Sequence, residues 1–148
     1  MQDDRSKNPY SILLVDDDPD EAKLTRKALM KNNTPVRIHD VPDGSAAMRY
    51  LRMEGEYQEK SRPDLILLDL NMPRMDGWEV LAEIKKDELL RSIPVIVFTM
   101  SSRQEDIAQA YSLHANCYIV KPSGWKELKR VMKCIEGFWF SIASLPGG

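Results

Sequence analysis

Five short runs along the chain are rich in apolar and β-branched residues: Ser11–Val15, Val36–Val41, Leu65–Leu68, Val95–Phe98 and Cys117–Val120. Runs such as Ile12-Leu13-Leu14-Val15 and Leu65-Ile66-Leu67-Leu68 are apolar at every position, as a strand covered on both faces requires. Between the runs lie segments in which apolar residues recur at helical spacing, beginning near Pro19, Gly44, Gly77, Arg103 and Gly124. Strand and helix alternating in this way call for right-handed crossovers and a parallel sheet, so the pattern predicts an α/β, doubly wound fold.

The helix starts carry their own signals. Asp18-Pro19-Asp20-Glu21 supplies a cap, a proline at the first helical position and acids in the first turn, where the helix dipole favours them. Ser102 with Glu105 three residues later predicts a capping box for the fourth helix. The polar stretch from Glu54 to Arg62 reads as a mobile surface loop before the third strand. We therefore expect one domain over residues 9–142, with a flexible tail at 1–8 and a second tail at 143–148.

Composition narrows the function classes. Apolar residues make up 43% and charged residues 30% of the 148, which suits a soluble globular chain that buries its own core. Lys and Arg number 21 against 23 Asp and Glu, so a net charge of -2 gives no basis for direct nucleic-acid or anionic-membrane binding. No apolar run reaches membrane-spanning length, and residues 1–8 lack the apolar centre of a secretory signal. Cys117 and Cys134 show no ligand spacing and read as buried reduced thiols, so a cytoplasmic location is expected.

In an open parallel sheet the ligand site lies at the carboxyl ends of the strands. There the first strand runs into Asp16-Asp17, the third into Asp69, the fourth into Thr99 and the fifth into Lys121. Acids at helix starts are common and need bind nothing, which is the reading taken for Asp18. The joint placement of the others is different. Two carboxylates ~4 Å apart repel by roughly 4 kcal/mol at an effective dielectric of about 20, so a cation is expected among them. Carboxylate oxygens without His or Cys select a hard ion, and Mg²⁺ suits a site that also takes a phosphate. The metal ligands expected are Asp16, Asp17, Asp69 and the backbone carbonyl of Asn71.

Leu-Val-Asp16-Asp17-Asp, Leu-Leu-Asp69-Leu-Asn71-Met-Pro73-Arg-Met-Asp76-Gly77, Phe-Thr99-Met and Tyr118-Ile-Val-Lys121-Pro122 resemble, in order, the motifs of the response-regulator receiver family. His114-Ala-Asn116-Cys117-Tyr118, Ile135-Glu136-Gly-Phe138-Trp139 and Leu145-Pro146 resemble the small response regulators that serve cyanobacterial phytochromes. The resemblance implies a (βα)5 flavodoxin-like fold with strand order 2-1-3-4-5. It implies that Asp69 takes a phosphoryl group from a sensor histidine kinase, a cyanobacterial phytochrome, with Lys121 facing the phosphate and Thr99 and Tyr118 acting as the switch. It also implies a cis Lys121-Pro122 peptide and kinase docking on the first helix, where Lys23 and Arg26 are candidates. Met100, after Thr99, departs from the small residue that many relatives carry and leads us to expect a long-lived phosphoryl group.

Two other readings fit part of the pattern. A haloacid-dehalogenase-like phosphatase also begins with Asp-x-Asp after a strand, but it places its later acids after the lysine, whereas Asp69 precedes Thr99 and Lys121. A receiver-like module that is never phosphorylated is disfavoured by the filled acceptor positions. The chain is thus expected to be a signalling phosphoacceptor and not an enzyme. Finally, the last helix is wider in apolar residues than one sheet-facing stripe needs. With Leu128, Val131, Ile135, Phe138 and Ile142 on the sheet, Met132, Trp139 and Phe140 are left to face outward or toward the fourth helix as a homodimer interface; the alternative is a monomer in which the tail from Ser141 to Gly148 folds back over them through a bend at Gly137.

Overall fold

The computed structural model describes residues 9–32, 34–58, 61–72 and 75–146. Strands β1 (Tyr10–Val15), β2 (Val36–Val41), β3 (Leu65–Leu68), β4 (Val95–Thr99) and β5 (Cys117–Val120) alternate with helices α1 (Pro19–Met30), α2 (Gly44–Leu51), α3 (Gly77–Lys86), α4 (Gln104–Ser112) and α5 (Trp125–Gly137). All strand pairs are parallel, in the order β2-β1-β3-β4-β5, as the resemblance implied. The expected tail at 1–8, Pro73 of the motif and the end of the second tail lie outside the described residues.

Successive side chains of a strand point to opposite faces, and this period divides the core in two. Leu13, Val15, Ile66, Leu68, Val95 and Val97 pack with α2 and α3, while Ile12, Leu14, Leu65, Leu67, Ile96 and Phe98 pack with α1 and α5. The central strands β1, β3 and β4 therefore hold the strand ends rigidly, and the loops that follow carry the polar groups.

Caps fix where those loops turn into helices. Asp18 accepts hydrogen bonds from the backbone N–H groups of Asp20 and Glu21, so α1 begins two residues beyond Asp17. Asp76 and Glu79 form a reciprocal capping box at α3. Gly77 must be glycine for a close approach, since a Cβ there would lie 2.1 Å from the carbonyl oxygen of Asp69. The start of α3 is thereby pressed against the end of β3.

Several expectations are corrected. The cap of α4 is not a Ser102–Glu105 box: Arg103 is the N-cap residue without a side-chain bond, and Ser101 takes the local role, accepting from Arg103 N–H and donating to Asp106 at 2.6 Å. The segment after Glu54 is not simply a polar loop, because a 3-10 turn at Gly55–Tyr57 buries Tyr57 against Tyr50 and His39. Cys134 is exposed and Cys117 only half-buried. No cis peptide occurs among the described residues, so Lys121-Pro122 is trans.

The largest correction is at the carboxyl end. Met132 is fully buried and Phe140 is buried, whereas Phe138 and Ile142 are 50% and 76% exposed. Met132 falls in line with Leu128 and Ile135 at ordinary helical spacing within α5, and beyond it the backbone takes a π-helical turn over Phe138–Ile142, whose Ala143 N–H bonds the Phe138 carbonyl five residues back at 2.7 Å. A π turn takes more residues per revolution than an α turn, so the buried line runs Leu128, Met132, Ile135 and then Phe140. Phe140 stacks on Tyr10 with ring centroids 4.2 Å apart. Trp139 is half-buried, edge-on to Phe138.

Candidate functional site: an acidic cluster bridged by a lysine

The carboxyl ends of β1 and β3 bring together Asp16, Asp17 and Asp69, whose ligand oxygens lie within 4.8 Å of one another. Asp16 is buried and Asp17 exposed, so the cluster has a floor and an open side. Asp16 Oδ1 accepts the Asp18 N–H at 3.0 Å, and Asp69 Oδ1 accepts the Asn71 N–H at 3.4 Å. These bonds turn the two chains away from the strand ends while leaving the remaining carboxylate oxygens toward the shared space.

Lys121 enters from the end of β5. Its Nζ donates to Asp16 Oδ2 at 3.0 Å, to Asp69 Oδ2 at 3.2 Å and to Glu21 Oε1 at 2.6 Å, and its side chain is only 7% exposed. The chain is steered there by the Lys121 N–H, which bonds the Thr99 carbonyl at 2.7 Å. Thr99 itself is buried at the end of β4, beside the same edge.

Burial acts on both members of the central pair, with different outcomes. For Asp16, desolvation raises the pKa, and the hydrogen bonds from Asp18 N–H and Lys121 do not fully offset it. For Lys121, desolvation pulls the pKa down, but the bond to Glu21 and the charges of Asp69 and Asp16 outweigh it, and the ammonium is held above its ordinary value. One lysine thus pairs with three carboxylates, Asp16, Glu21 and Asp69, while Asp17 adds a fourth to the cluster, which leaves excess negative charge in a partly buried place.

That excess, on an all-oxygen donor set with no His or Cys, fits a hard divalent cation. Asp16, Asp17 and Asp69 are the side chains able to hold it. The expected site residues Asp16, Asp17, Asp69, Thr99 and Lys121 are brought to one edge of the sheet. Tyr118 lies on β5, half-buried, with its hydroxyl on the Ser101 carbonyl at 2.9 Å. Met132, Trp139 and Phe140 lie on α5 and the π turn, apart from the cluster.

Glu21 was read from the sequence only as a dipole-favoured acid, and the structure gives it the shortest contact with Lys121. The signal available was its position three residues after the Asp18 cap, one helical turn above the Asp16-Asp17 strand end. Its partner, 100 residues away, was not legible. Beside this contact a cavity of about 270 Å³ opens between α1 and the start of α5, lined by Leu24, Phe98, Met100, Lys121, Trp125 and Leu128 among others. Met100 is 68% exposed at its rim.

Comparison with known proteins agrees with the geometry. Residues 12–133 match the response regulator receiver domain family. The chain is 43% identical over 143 residues to the response regulator Rcp1 of Synechocystis sp., covering 97% of each. Among solved structures it resembles the phosphorylated cyanobacterial phytochrome response regulator RcpA, at 49% identity and a TM-score of 0.90, covering 94% of this chain and 99% of that one. It also resembles the Mn²⁺-bound form of Rcp1, at 42% identity and a TM-score of 0.88, covering 94% and 100%. The chain belongs to the response regulator receiver domain family.

Proposed function

We propose that Asp69 accepts a phosphoryl group from a histidine of a sensor kinase, and that Mg²⁺ held by Asp16, Asp17, Asp69 and the Asn71 backbone carbonyl serves the transfer. The observation that carries this is the Lys121 ammonium bridging Asp16 and Asp69 at 3.0 and 3.2 Å beside the three-carboxylate cluster. A bound divalent cation would supply charge neutralisation for the carboxylates and the incoming phosphoryl oxygens.

The rest of the chemistry belongs to the chain's own residues. Asp69 presents a carboxylate oxygen that forms the new P–O bond as the donor's P–N bond breaks, and the bonding pair returns to the imidazole nitrogen. Lys121 keeps a full positive charge near the acceptor oxygen and offers donors to the phosphoryl group. Thr99, buried at the strand end, turns its hydroxyl toward the new oxygens, and Tyr118 follows, which changes the surface formed by α4, β5 and α5.

The proposed donor is a phytochrome kinase, on the support of the relative RcpA, with signalling in the cytoplasm and output through protein contact. No helix among the described residues is long and apolar enough to cross a membrane. We further propose a homodimer through the exposed part of the π turn. The chain acts as a phosphoacceptor, not as a turnover catalyst.

Incubation with a phosphorylated phytochrome kinase and Mg²⁺ tests the core of this reading. One acid-stable, base-labile phosphoryl group per chain is expected on the wild type and none on Asp69→Asn. Labelling of Asp69→Asn at the wild-type rate, or repeated hydrolysis of a generic phosphate ester by the wild type, overturns it.

A further inference from the structure

An ammonium has three N–H donors, and in Lys121 all three are engaged by carboxylates: Glu21 at 2.6 Å, Asp16 at 3.0 Å and Asp69 at 3.2 Å. Phosphorylation itself turns the Asp69 carboxylate into an acyl phosphate and frees that donor, so a phosphoryl group that takes a second donor of this lysine must displace Asp16 or Glu21. The three acceptors are not equivalent. Asp16 and Asp69 belong to the cluster whose ligand atoms lie within 4.8 Å of one another, and their side chains are 1% and 12% exposed. Glu21 stands outside that cluster, on α1, and its side chain is 37% exposed. Its carboxylate can return to water at little cost, whereas freeing the oxygens of Asp16 would leave a buried charge without its partner.

We infer that Glu21 is a positioning residue that berths the Lys121 ammonium before phosphorylation and is the partner displaced when the phosphoryl group arrives. This rests on the reading of Asp69 as phosphoacceptor and adds a competing anchor to it. The berth has a defined geometry. Glu21 sits at the third helical position of α1, where the Asp18 cap holds its backbone N–H at 3.3 Å, so the carboxylate is presented to the strand ends from a fixed turn. Lys121 reaches it across the wall of the cavity that both residues line. The contact holds the lysine near the cluster while the cation is bound, because a cation among Asp16, Asp17 and Asp69 weakens the pull of those acids and leaves that of Glu21. It also opposes the phosphorylated state, since the Glu21–Lys121 contact is lost there.

The inference makes opposite demands on two ligands. Calorimetric titration of the full chain with Mg²⁺, and then with beryllofluoride as a phosphoryl mimic in saturating Mg²⁺, compares the wild type with Glu21→Gln and Glu21→Asp. The glutamine removes the charge. The aspartate keeps the charge but is one methylene too short for the contact. Both variants should bind beryllofluoride about two- to fivefold more tightly, the range set by a half-exposed ion pair. Mg²⁺ binding should weaken in Glu21→Gln and hold in Glu21→Asp. A merely structural role would weaken both ligands together. Unchanged or weaker beryllofluoride binding in both variants, with the wild type binding normally, overturns the berth alone. A wild type that binds Mg²⁺ but no beryllofluoride overturns the Asp69 reading and the berth with it.

Discussion

The hydroxyl of Tyr118 donates to the carbonyl of Ser101 at 2.9 Å, tying β5 to the loop that leads from Thr99 into α4. Burial, with the negative charges of Asp106 and Asp69 nearby, raises the phenol's pKa, so it is a neutral donor across the physiological range. The bond therefore fixes the ring against the loop between β4 and α4. Tyr118→Phe should cost the unphosphorylated domain about 0.5–1.5 kcal/mol, the usual worth of one such hydrogen bond. Thermal unfolding with and without beryllofluoride checks the switch: the deficit should differ between the two forms. An equal deficit in both forms would make Tyr118 a static strand aromatic.

Asp16 gives a pH dependence with a definite sign. Its pKa is raised in the fold, chiefly by burial, so the folded state holds the proton more tightly than the unfolded chain. The stability this contributes is fully present below the ordinary aspartate range and is lost as pH rises through the raised value. Metal-free protein should accordingly lose Tm, relative to Asp16→Asn, as pH climbs from the acid side toward neutrality. Mg²⁺ at a hundredfold over its Kd should return about 2.7 kcal/mol to the wild type, and the variant should gain less. A wild type that gains stability over Asp16→Asn with rising pH in the absence of metal contradicts the assignment.

The ion pairs of α1 give a test of kinase docking on that helix. Arg26 pairs with Asp40 on β2, while Lys23 is exposed. Reversing the charge at Arg26 removes both that pair and any docking contact, so Asp40→Asn serves as the control that breaks the pair and keeps the arginine. Arg26→Glu should slow transfer from the kinase and leave labelling by acetyl phosphate unchanged, with Asp40→Asn near wild type for both donors. Equal slowing by the two donors assigns Arg26 to stability and not to docking.

The strands were legible almost to the residue because β1, β3, β4 and β5 are short apolar runs closed by a charged or hydroxyl residue and β2 alternates apolar with polar positions as far as His39, and the acidic cluster was legible because parallel topology places every strand end on one edge. What escaped depends on contacts across the chain. Glu21 is an ordinary first-turn acid until the fold sets Lys121 beside it. The α4 cap failed because Ser101, not Ser102, reaches both Arg103 N–H and Asp106. At the carboxyl end α5 buries Met132 where Val131, one position earlier, also fits an apolar stripe, and an α-helical period extended through Phe138–Ile142 misses the wider π turn that puts Phe140 inside and Phe138 and Ile142 outside.

That difference changes the dimer to be tested. Met132 and Phe140 are inside, against the sheet and Tyr10, so truncating either opens a cavity at a cost of about 2–5 kcal/mol and tests folding, not association. The side chains left in water are Phe138 and Ile142, with Trp139 half-buried edge-on to Phe138. Burying a fully exposed Phe or Ile is worth roughly 1.5–3 kcal/mol; with Phe138 50% and Ile142 76% exposed and each counted twice in a symmetric interface, the gross gain is about 4–8 kcal/mol. Association itself costs about 4–15 kcal/mol, so a micromolar dimer needs contacts beyond these two side chains, with half-buried Trp139 beside them the nearest further apolar surface. Sedimentation of the wild type should show dimerisation in the micromolar range, and Phe138→Ala/Ile142→Ala should be a monomer with a Tm close to wild type. Met132→Ala should lose Tm and still dimerise where it remains folded. A wild type that stays monomeric at high micromolar concentration, with or without beryllofluoride, removes the homodimer from the proposed function.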